Sequence, residues 1–287
     1  MRKNKKADFI KLIIFVVICI VSSYAGLGNR GLTGDAEVRV HYVDVGQGDC
    51  TLIELPENKV MLIDAGENGH ESDVMNYLDR CGIRRIDYLI ATHPHSDHIG
   101  GIEEVVENYE IGEIYMPKTE STSWTYENML DAIDEKGIYI QSAYSGKNIF
   151  EYDGVKAEIL SPERNYKNDN LNNSSVVVRL ICGKKVFLFT GDAEKVIEKN
   201  ILQKADDLEC DVLKVGHHGS SSSSHEDFIF EVNPEYAVIS CGKGNEYGHP
   251  HRETLELLED VGAEVLRTDK LGTIVINTDG EKLNIEE

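Results

Sequence analysis

Three histidines and an aspartate fall within six positions in His93-Pro94-His95-Ser96-Asp97-His98, between Thr92 and the pair Gly100-Gly101. Imidazole is a neutral, directional ligand near pH 7 and a carboxylate is an anionic one, so this stretch can offer donors to more than one divalent cation. His93 and His95 can point to one side while Asp97 and His98 turn to another. The stretch follows an apolar run at 88–91, and packing gives no reason for such polar density there. A histidine-rich surface loop is the alternative. Two later apolar runs end in similar chemistry. The run at 186–189 leads through Thr190-Gly191 to Asp192, a carboxylate suited to bridging two cations; its rival role is a helix cap, since Ala193-Glu194 reads as a helix start. The run at 212–215 delivers Gly216-His217-His218-Gly219-Ser220. Adjacent side chains on an extended segment face opposite ways. One of His217 and His218 is therefore expected to be a ligand, with His218 slightly favoured, and the other to contact substrate or orient the ligands.

The elements that must position these residues alternate short apolar runs with helical spacing. Strands are expected at 38–45, 51–55 and 60–63, the first two joined by a turn at 46–49, and then at 88–91. Helices are expected at 72–81, 102–109 and 124–136. The second half repeats the rhythm, with strands near 155–160, 176–181, 186–189, 212–215 and 237–239 and helices near 193–204, 225–232 and 252–261. Hairpins first, then strands interleaved with helices, suit a layered α/β sandwich better than a purely parallel sheet. The five serines at 220–224 read as a loop and helix start beside a site.

The chain has 287 residues and a formal charge of −22, from 29 Lys+Arg against 51 Asp+Glu. Bulk charge therefore cannot hold it to nucleic acid or to an anionic membrane. Its first eleven residues run the other way, with five cations preceding an uncharged run at 12–21. Small residues follow at Ser23 and Ala25. This pattern predicts a signal peptide over 1–25, with an uncleaved membrane anchor as the alternative. A connector at 26–34 and one hydrolase domain at 35–287 complete the expected organisation. Loss of 1–25 would remove five cations and one acid, taking the charge from −22 to −26. The protein is thus expected outside the cytoplasm, secreted or tethered to the outer face of a bacterial cytoplasmic membrane, touching membrane only through its N-terminal segment. Cysteines at 19, 50, 81, 182, 210 and 241 show no CxxC spacing. Five remain without Cys19, so no complete disulfide framework is expected, and Cys50, Cys182 and Cys241 read as small buried hydrophobes.

The run THPHSDHIGG at 92–101, followed by TGDAE at 190–194 and GHHGS at 216–220, resembles the metallo-β-lactamase superfamily, whose motif is H-x-H-x-D-H. The resemblance covers roughly 38–278 and implies a four-layer αβ/βα sandwich with a dinuclear metal site at one edge of its two central sheets. In order, VDVGQGDC at 43–50, LIDAG at 62–66, the Asn172-Asn173-Ser174-Ser175 segment, DVLKVGHHGSSSSS at 211–224, PEYAVIS at 234–240 and NEYGHPH at 245–251 are also similar to the extracellular hydrolase domain of the bacterial competence DNA-uptake channel. Carried over, the resemblance makes His93 and His95 ligands of one metal and Asp97 and His98 ligands of the other. Asp192 becomes the bridging carboxylate, with the last ligand in the His217–His218 pair. Many members of the superfamily have another histidine where this chain has Asn172 to Ser175, which implies a more loosely held first metal. Asp64 resembles an acid that orients a ligating histidine, and a strand-end turn residue is its alternative role. His249 is implied over the metals, binding a phosphoryl oxygen or protonating a leaving group, with a surface turn as the rival. Asn173, Ser174, Ser220 and Tyr247 are expected beside the ligands or the substrate. The implied cofactors are two divalent ions, zinc or manganese, with Asp97 and His249 as the catalytic pair.

The expected function is metal-activated hydrolysis of a phosphodiester, with DNA as the favoured substrate. A small-substrate hydrolase acting on a cell-wall phosphoester, a lactone or a β-lactam is the alternative enzyme. A non-catalytic accessory module of a DNA-uptake system is the alternative outside enzymes.

Overall fold

A computed structural model describes residues 37–166, 169–205 and 207–286. The expected leader at 1–25, the connector at 26–34, Cys19 and the cation Lys167 lie outside the described residues. The first half runs β1 (Val38–Tyr42), β2 (Thr51–Leu55), β3 (Lys59–Ile63), α1 (Glu71–Arg80), β4 (Arg85–Ile90), a short α2 (Ser96–Ile99), α3 (Ile102–Asn108), β5 (Glu110–Met116), α4 (Trp124–Glu135) and β6 (Ile140–Ser142). The second half runs β7 (Asn148–Tyr152), β8 (Val155–Ser161), β9 (Val177–Cys182), β10 (Lys185–Phe189), α5 (Lys195–Leu202), β11 (Val212–Lys214), α6 (Glu226–Val232), β12 (Tyr236–Ile239), α7 (Arg252–Asp260), β13 (Glu264–Arg267), α8 (Thr268–Leu271), β14 (Ile274–Thr278) and β15 (Leu283–Glu286).

Two sheets result. One has eight strands in the order β15-β14-β1-β2-β3-β4-β5-β6, and the other has seven in the order β13-β12-β11-β10-β9-β8-β7. Their inner faces share one core. Met61 and Ile63 of β3 point into it beside Phe187 and Phe189 of β10, while Val60, Leu62 and Leu188 face outward onto helices. Side chains alternate along a strand, so a strand covered on both faces must be apolar at nearly every position. The order of layers is helices, sheet, sheet, helices, the expected four-layer sandwich.

Within each sheet, one set of strands is parallel: β3 to β6 in the first and β10 to β13 in the second. Parallel strands end on a common edge, and ligands of such sheets gather beyond the carboxyl ends. Here the two edges meet. The backbone N–H of Val176, just before β9, donates to the carbonyl of Thr92, just after β4, at 3.0 Å. Every residue of the site described next enters from this edge. Among the described residues no helix is long and apolar enough to cross a membrane.

Candidate metal centre

The segment 92–98 leaves β4 and turns at once into α2. His93 and His95 precede the helix, Asp97 lies in its first turn, and His98 follows one residue later. The approach of the β1–β2 turn holds this arrangement in place. The N–H of Asp49 donates to the carbonyl of Asp97 at 3.0 Å, and a Cβ on Gly48 would lie 2.4 Å from the same oxygen. Only glycine fits at 48.

Asp192 follows β10 and is buried, with its N–H donating to Ser175 Oγ at 3.1 Å. Two sets of ligand-type side chains converge on it. In the first, His93 Nε2 lies 3.8 Å from Asp192 Oδ2 and 3.0 Å from His95 Nδ1. In the second, His98 Nε2 is 3.1 Å from Asp192 Oδ1, His218 Nε2 is 3.8 Å from the same oxygen, and His218 Nε2 is 3.2 Å from Asp97 Oδ2. The sets His93, His95, Asp192 and Asp97, His98, Asp192, His218 each offer atoms within 4.8 Å of one another. They share only the carboxylate of Asp192.

The donor atoms themselves test whether cations fit. His98 Nε2 and Asp192 Oδ1 are buried without a hydrogen-bond partner among the described residues. They face each other at 3.1 Å without hydrogen-bond geometry, and a divalent ion would satisfy both. Charge points the same way. Burial opposes a proton on His98, yet Asp192, Asp64 and Asp97 raise its pKa well above the ordinary value. At His218, burial is again outweighed, by Asp192 and Asp49, and the pKa rises to about 10. The cluster's excess of carboxylates draws positive charge into its middle. These residues fit a binuclear site of nitrogen and oxygen donors.

His217 and His218 depart from the extended geometry expected of them. Both lie in a short 3-10 turn with φ of 51° and 54°, so their side chains do not alternate. Both reach the centre: His217 Nε2 stands 3.6 Å from Asp192 Oδ2, on the side of His93, and His218 faces Oδ1. His218 is fully buried and donates from Nδ1 to the carbonyl of Ser240 at 3.0 Å, while His217 Nδ1 meets Ser222 Oγ at 2.9 Å.

Around these groups, Asp64 at the end of β3 accepts from His98 Nδ1 at 2.7 Å and from the N–H and hydroxyl of Thr92 at 2.8 and 2.6 Å. Such a contact fixes the tautomer of His98 and leaves its Nε2 free for the centre. Asn173 joins Glu194, two residues beyond Asp192, through its amide at 3.3 Å and by accepting from the Glu194 N–H at 3.4 Å. Ser174 turns away, donating to the carbonyl of Leu171 at 2.6 Å, and Ser175 takes the place beside Asp192. The Ser220 hydroxyl meets Ser222 Oγ at 3.1 Å, and its N–H donates to the carbonyl of His217 at 2.8 Å. His249 and Tyr247 line the cavity above the centre together with Gln47, Ser96 and the ligand-type residues, and the cavity measures about 310 Å³. Their rings stack at 5.5 Å, and Tyr247 is 67% exposed.

Two residues escaped sequence reasoning. Lys214, on β11 in the middle of an apolar run, is buried and paired with Asp49, and it also donates to the carbonyl of Val215 at 3.1 Å. Asp49 lies 3.3 Å from His218 Nδ1. Burial would raise the Asp49 pKa, but Lys214 and His218 bring it down to about 2. A lysine inside a strand that is otherwise apolar was the available signal, because a buried ammonium requires an acid partner.

One buried acid lies outside the centre. Glu198 on α5 accepts from the N–H groups of Ser224 and His225, at 2.8 and 2.6 Å, and pins the end of the serine-rich loop. Burial raises its pKa from 4.5 to about 7, against the opposing effect of those two bonds. The folded state therefore holds the proton more tightly than the unfolded chain, and this residue's contribution to stability falls as pH rises from about 4.5 to about 7. The full effect is on the order of 3 kcal/mol. Glu198→Gln removes the titration, so its stability relative to the unaltered chain should improve across that window. Thermal unfolding of both proteins at pH 5 and pH 8 measures this; a constant difference would contradict it. Cys50, Cys81, Cys182, Cys210 and Cys241 are all free thiols, and burial pushes Cys241 up to about 11.

Residues 43–243 match the family model for the metallo-beta-lactamase superfamily, and the chain belongs to that superfamily. It is 35% identical over 256 residues to ComE operon protein 3 of Bacillus subtilis, covering 83% of this chain and 33% of that protein. It is 32% identical over 240 residues to competence protein ComA of Neisseria gonorrhoeae, covering 83% and 32% respectively. The chain thus spans about a third of the length of these curated relatives. Among solved structures, the metallo-beta-lactamase fold protein YhfI from Bacillus subtilis superposes with a TM-score of 0.56 over 85% of this chain and 100% of that one, at 12% identity. That likeness is one of fold.

Proposed function

We propose that this protein is an extracytoplasmic, metal-dependent phosphodiesterase acting on DNA, with Zn²⁺ or Mn²⁺ held at both positions. The convergence of two donor sets on the single carboxylate of Asp192 carries this reading. His93, His95 and Asp192 would hold one ion, and Asp97, His98, Asp192 and His218 the other, with His217 completing the first set. When bound, such a pair supplies Lewis acidity and an activated water at neutral pH. Asp64 and the Ser240 carbonyl hold His98 and His218 through their Nδ1 atoms, with Asp49 adding negative charge 3.3 Å from His218 Nδ1, so both Nε2 atoms stay directed at Asp192. Asp97 would serve as a ligand, which leaves His249, with Tyr247, Gln47 and Ser96, among the cavity-lining side chains that can contact substrate. Burial and the neighbouring His218 and His217 push the His249 pKa down to about 4. A neutral ring at pH 7 favours donation of an N–H to a phosphoryl oxygen over the role of general acid. The motif resemblance to a DNA-uptake channel, together with competence protein ComA among the relatives, supports DNA as the substrate and the cell envelope as the location.

A cavity of about 310 Å³ also suits a small phosphoester, lactone or β-lactam, and this keeps a small-substrate hydrolase as the second reading. The full chain assayed with Mn²⁺ or Zn²⁺ on single-stranded DNA, bis(p-nitrophenyl) phosphate and a β-lactam separates the readings. DNA cleavage that falls more than about 100-fold in His95→Ala is the expected result. Metal-loaded protein that cleaves only the β-lactam would contradict it, and metal-free protein that binds DNA without cleaving it would point to an accessory module.

A further inference from the structure

About half of the described lysines and arginines stand in ion pairs, and among the others one group gathers beside aromatic rings. Arg164 is exposed and lays its guanidinium 4.0 Å from the centre of the Tyr144 ring, while Lys147 Nζ lies 5.8 Å from the same ring and 4.8 Å from that of Tyr115. Neither cation forms an ion pair among the described residues, and Lys147 Nζ donates to Gln141 Oε1 at 3.2 Å and to the Ser142 carbonyl at 3.3 Å. A guanidinium stacked on an aromatic face loses rotational freedom but keeps its hydrogen-bond donors, an arrangement suited to phosphate oxygens.

The placement of the group is as informative as its chemistry. Tyr144 follows β6, and Arg164 follows β8, both at the edge where the metal centre lies. The two loops are tied together: Ser145 N–H donates to the carbonyl of Pro162 at 2.7 Å and Gly146 N–H to that of Ile159 at 2.9 Å. β8 pairs with β9, whose approach at Val176 bonds Thr92 next to His93. β6 is two strands from β4, which puts Tyr144 on the order of 10 Å along the edge from the histidine turn at a spacing of about 4.8 Å per strand. Exposed Lys118, two residues after β5, stands between them, and Trp124, 69% exposed, opens α4.

We propose that Arg164, Tyr144 and Lys147, continued by Lys118, form a track for the backbone of a single-stranded nucleic acid leading to the metal centre. This rests on the phosphodiesterase reading above and names where the strand lies. Cations alone would serve any polyanion. Aromatic surfaces beside them favour unpaired bases, which stack where paired bases cannot.

Fluorescence anisotropy of a labelled oligothymidylate, with Mn²⁺ present and the full chain carrying His95→Ala to prevent cleavage, tests the proposal. Arg164→Gln combined with Lys147→Gln should weaken binding about tenfold at low salt and reduce the slope of log affinity against log salt by about 0.7 per cation removed. Tyr144→Leu should weaken binding with little change in slope. Lys184→Gln removes an exposed charge at the opposite edge, between β9 and β10, and should change neither. Unchanged affinity and slope in the double variant, or an equal loss in Lys184→Gln, would overturn the track. Hydrolysis of bis(p-nitrophenyl) phosphate by the unaltered chain reports separately on the centre. Hydrolysis without the Arg164 effect sinks the track alone, and the Arg164 effect without hydrolysis sinks the phosphodiesterase reading alone.

Discussion

Asp192→Asn should empty both metal positions together and lower hydrolysis by roughly a thousandfold or more, the loss of several kcal/mol of charge stabilisation at 1.36 kcal/mol per decade. The reason is geometric. Asp192 Oδ2 faces His93 and His217, and Oδ1 faces His98 and His218, so one carboxylate joins two sets that otherwise share no side chain. Asparagine keeps the volume but removes the anionic charge and replaces one ligand oxygen with NH₂, a donor where an acceptor is needed. His93→Ala, by contrast, should strip one position and leave the other. Metal content of the purified variants, measured beside their activity, checks both statements. Retention of two ions by Asp192→Asn would break the link between the sets.

The second large effect concerns stability. Lys214→Met should destabilise the fold by about 3–5 kcal/mol, because it leaves the carboxylate of Asp49 buried without its cation. For a domain of this size that lowers Tm by on the order of 10 °C. Lys214→Met with Asp49→Leu should recover most of the loss, since an apolar pair no longer carries an unpaired charge. Metal affinity should not recover with it, because Asp49 also stands behind His218 at 3.3 Å. Thermal unfolding and metal titration of the single and double variants separate the two roles. A single variant as stable as the unaltered chain would contradict the burial argument.

The sequence made the doubly covered strands legible, because burial on both faces leaves continuous apolar runs such as those of β3, β10 and β12. It was silent at the edges β6, β7, β13 and β15, and also at β5 and β14 inside the first sheet, where Gly112 and Glu113 or Asn277 and Thr278 interrupt the apolar residues. β6 and β15 carry half-exposed or exposed residues along most of their length and give no apolar run to read. Within the centre, residues at strand ends were readable because polar side chains there interrupt apolar sequence. The His217–His218 geometry was not, since alternation assumes an extended chain and this turn is left-handed at both positions. Asp49 was hidden for another reason: its partner Lys214 is 165 positions away, and only folding brings the two together. Ser174 was one residue from the position that meets Asp192, the offset that a tight turn produces and a linear motif does not reveal.

Crystals grown with Mn²⁺ and measured for anomalous scattering test the central claim most directly. Two peaks are predicted, one within ligand distance of His93, His95 and Asp192, the other within ligand distance of Asp97, His98, Asp192 and His218. A loaded protein with no peak in reach of Asp192 would contradict the account.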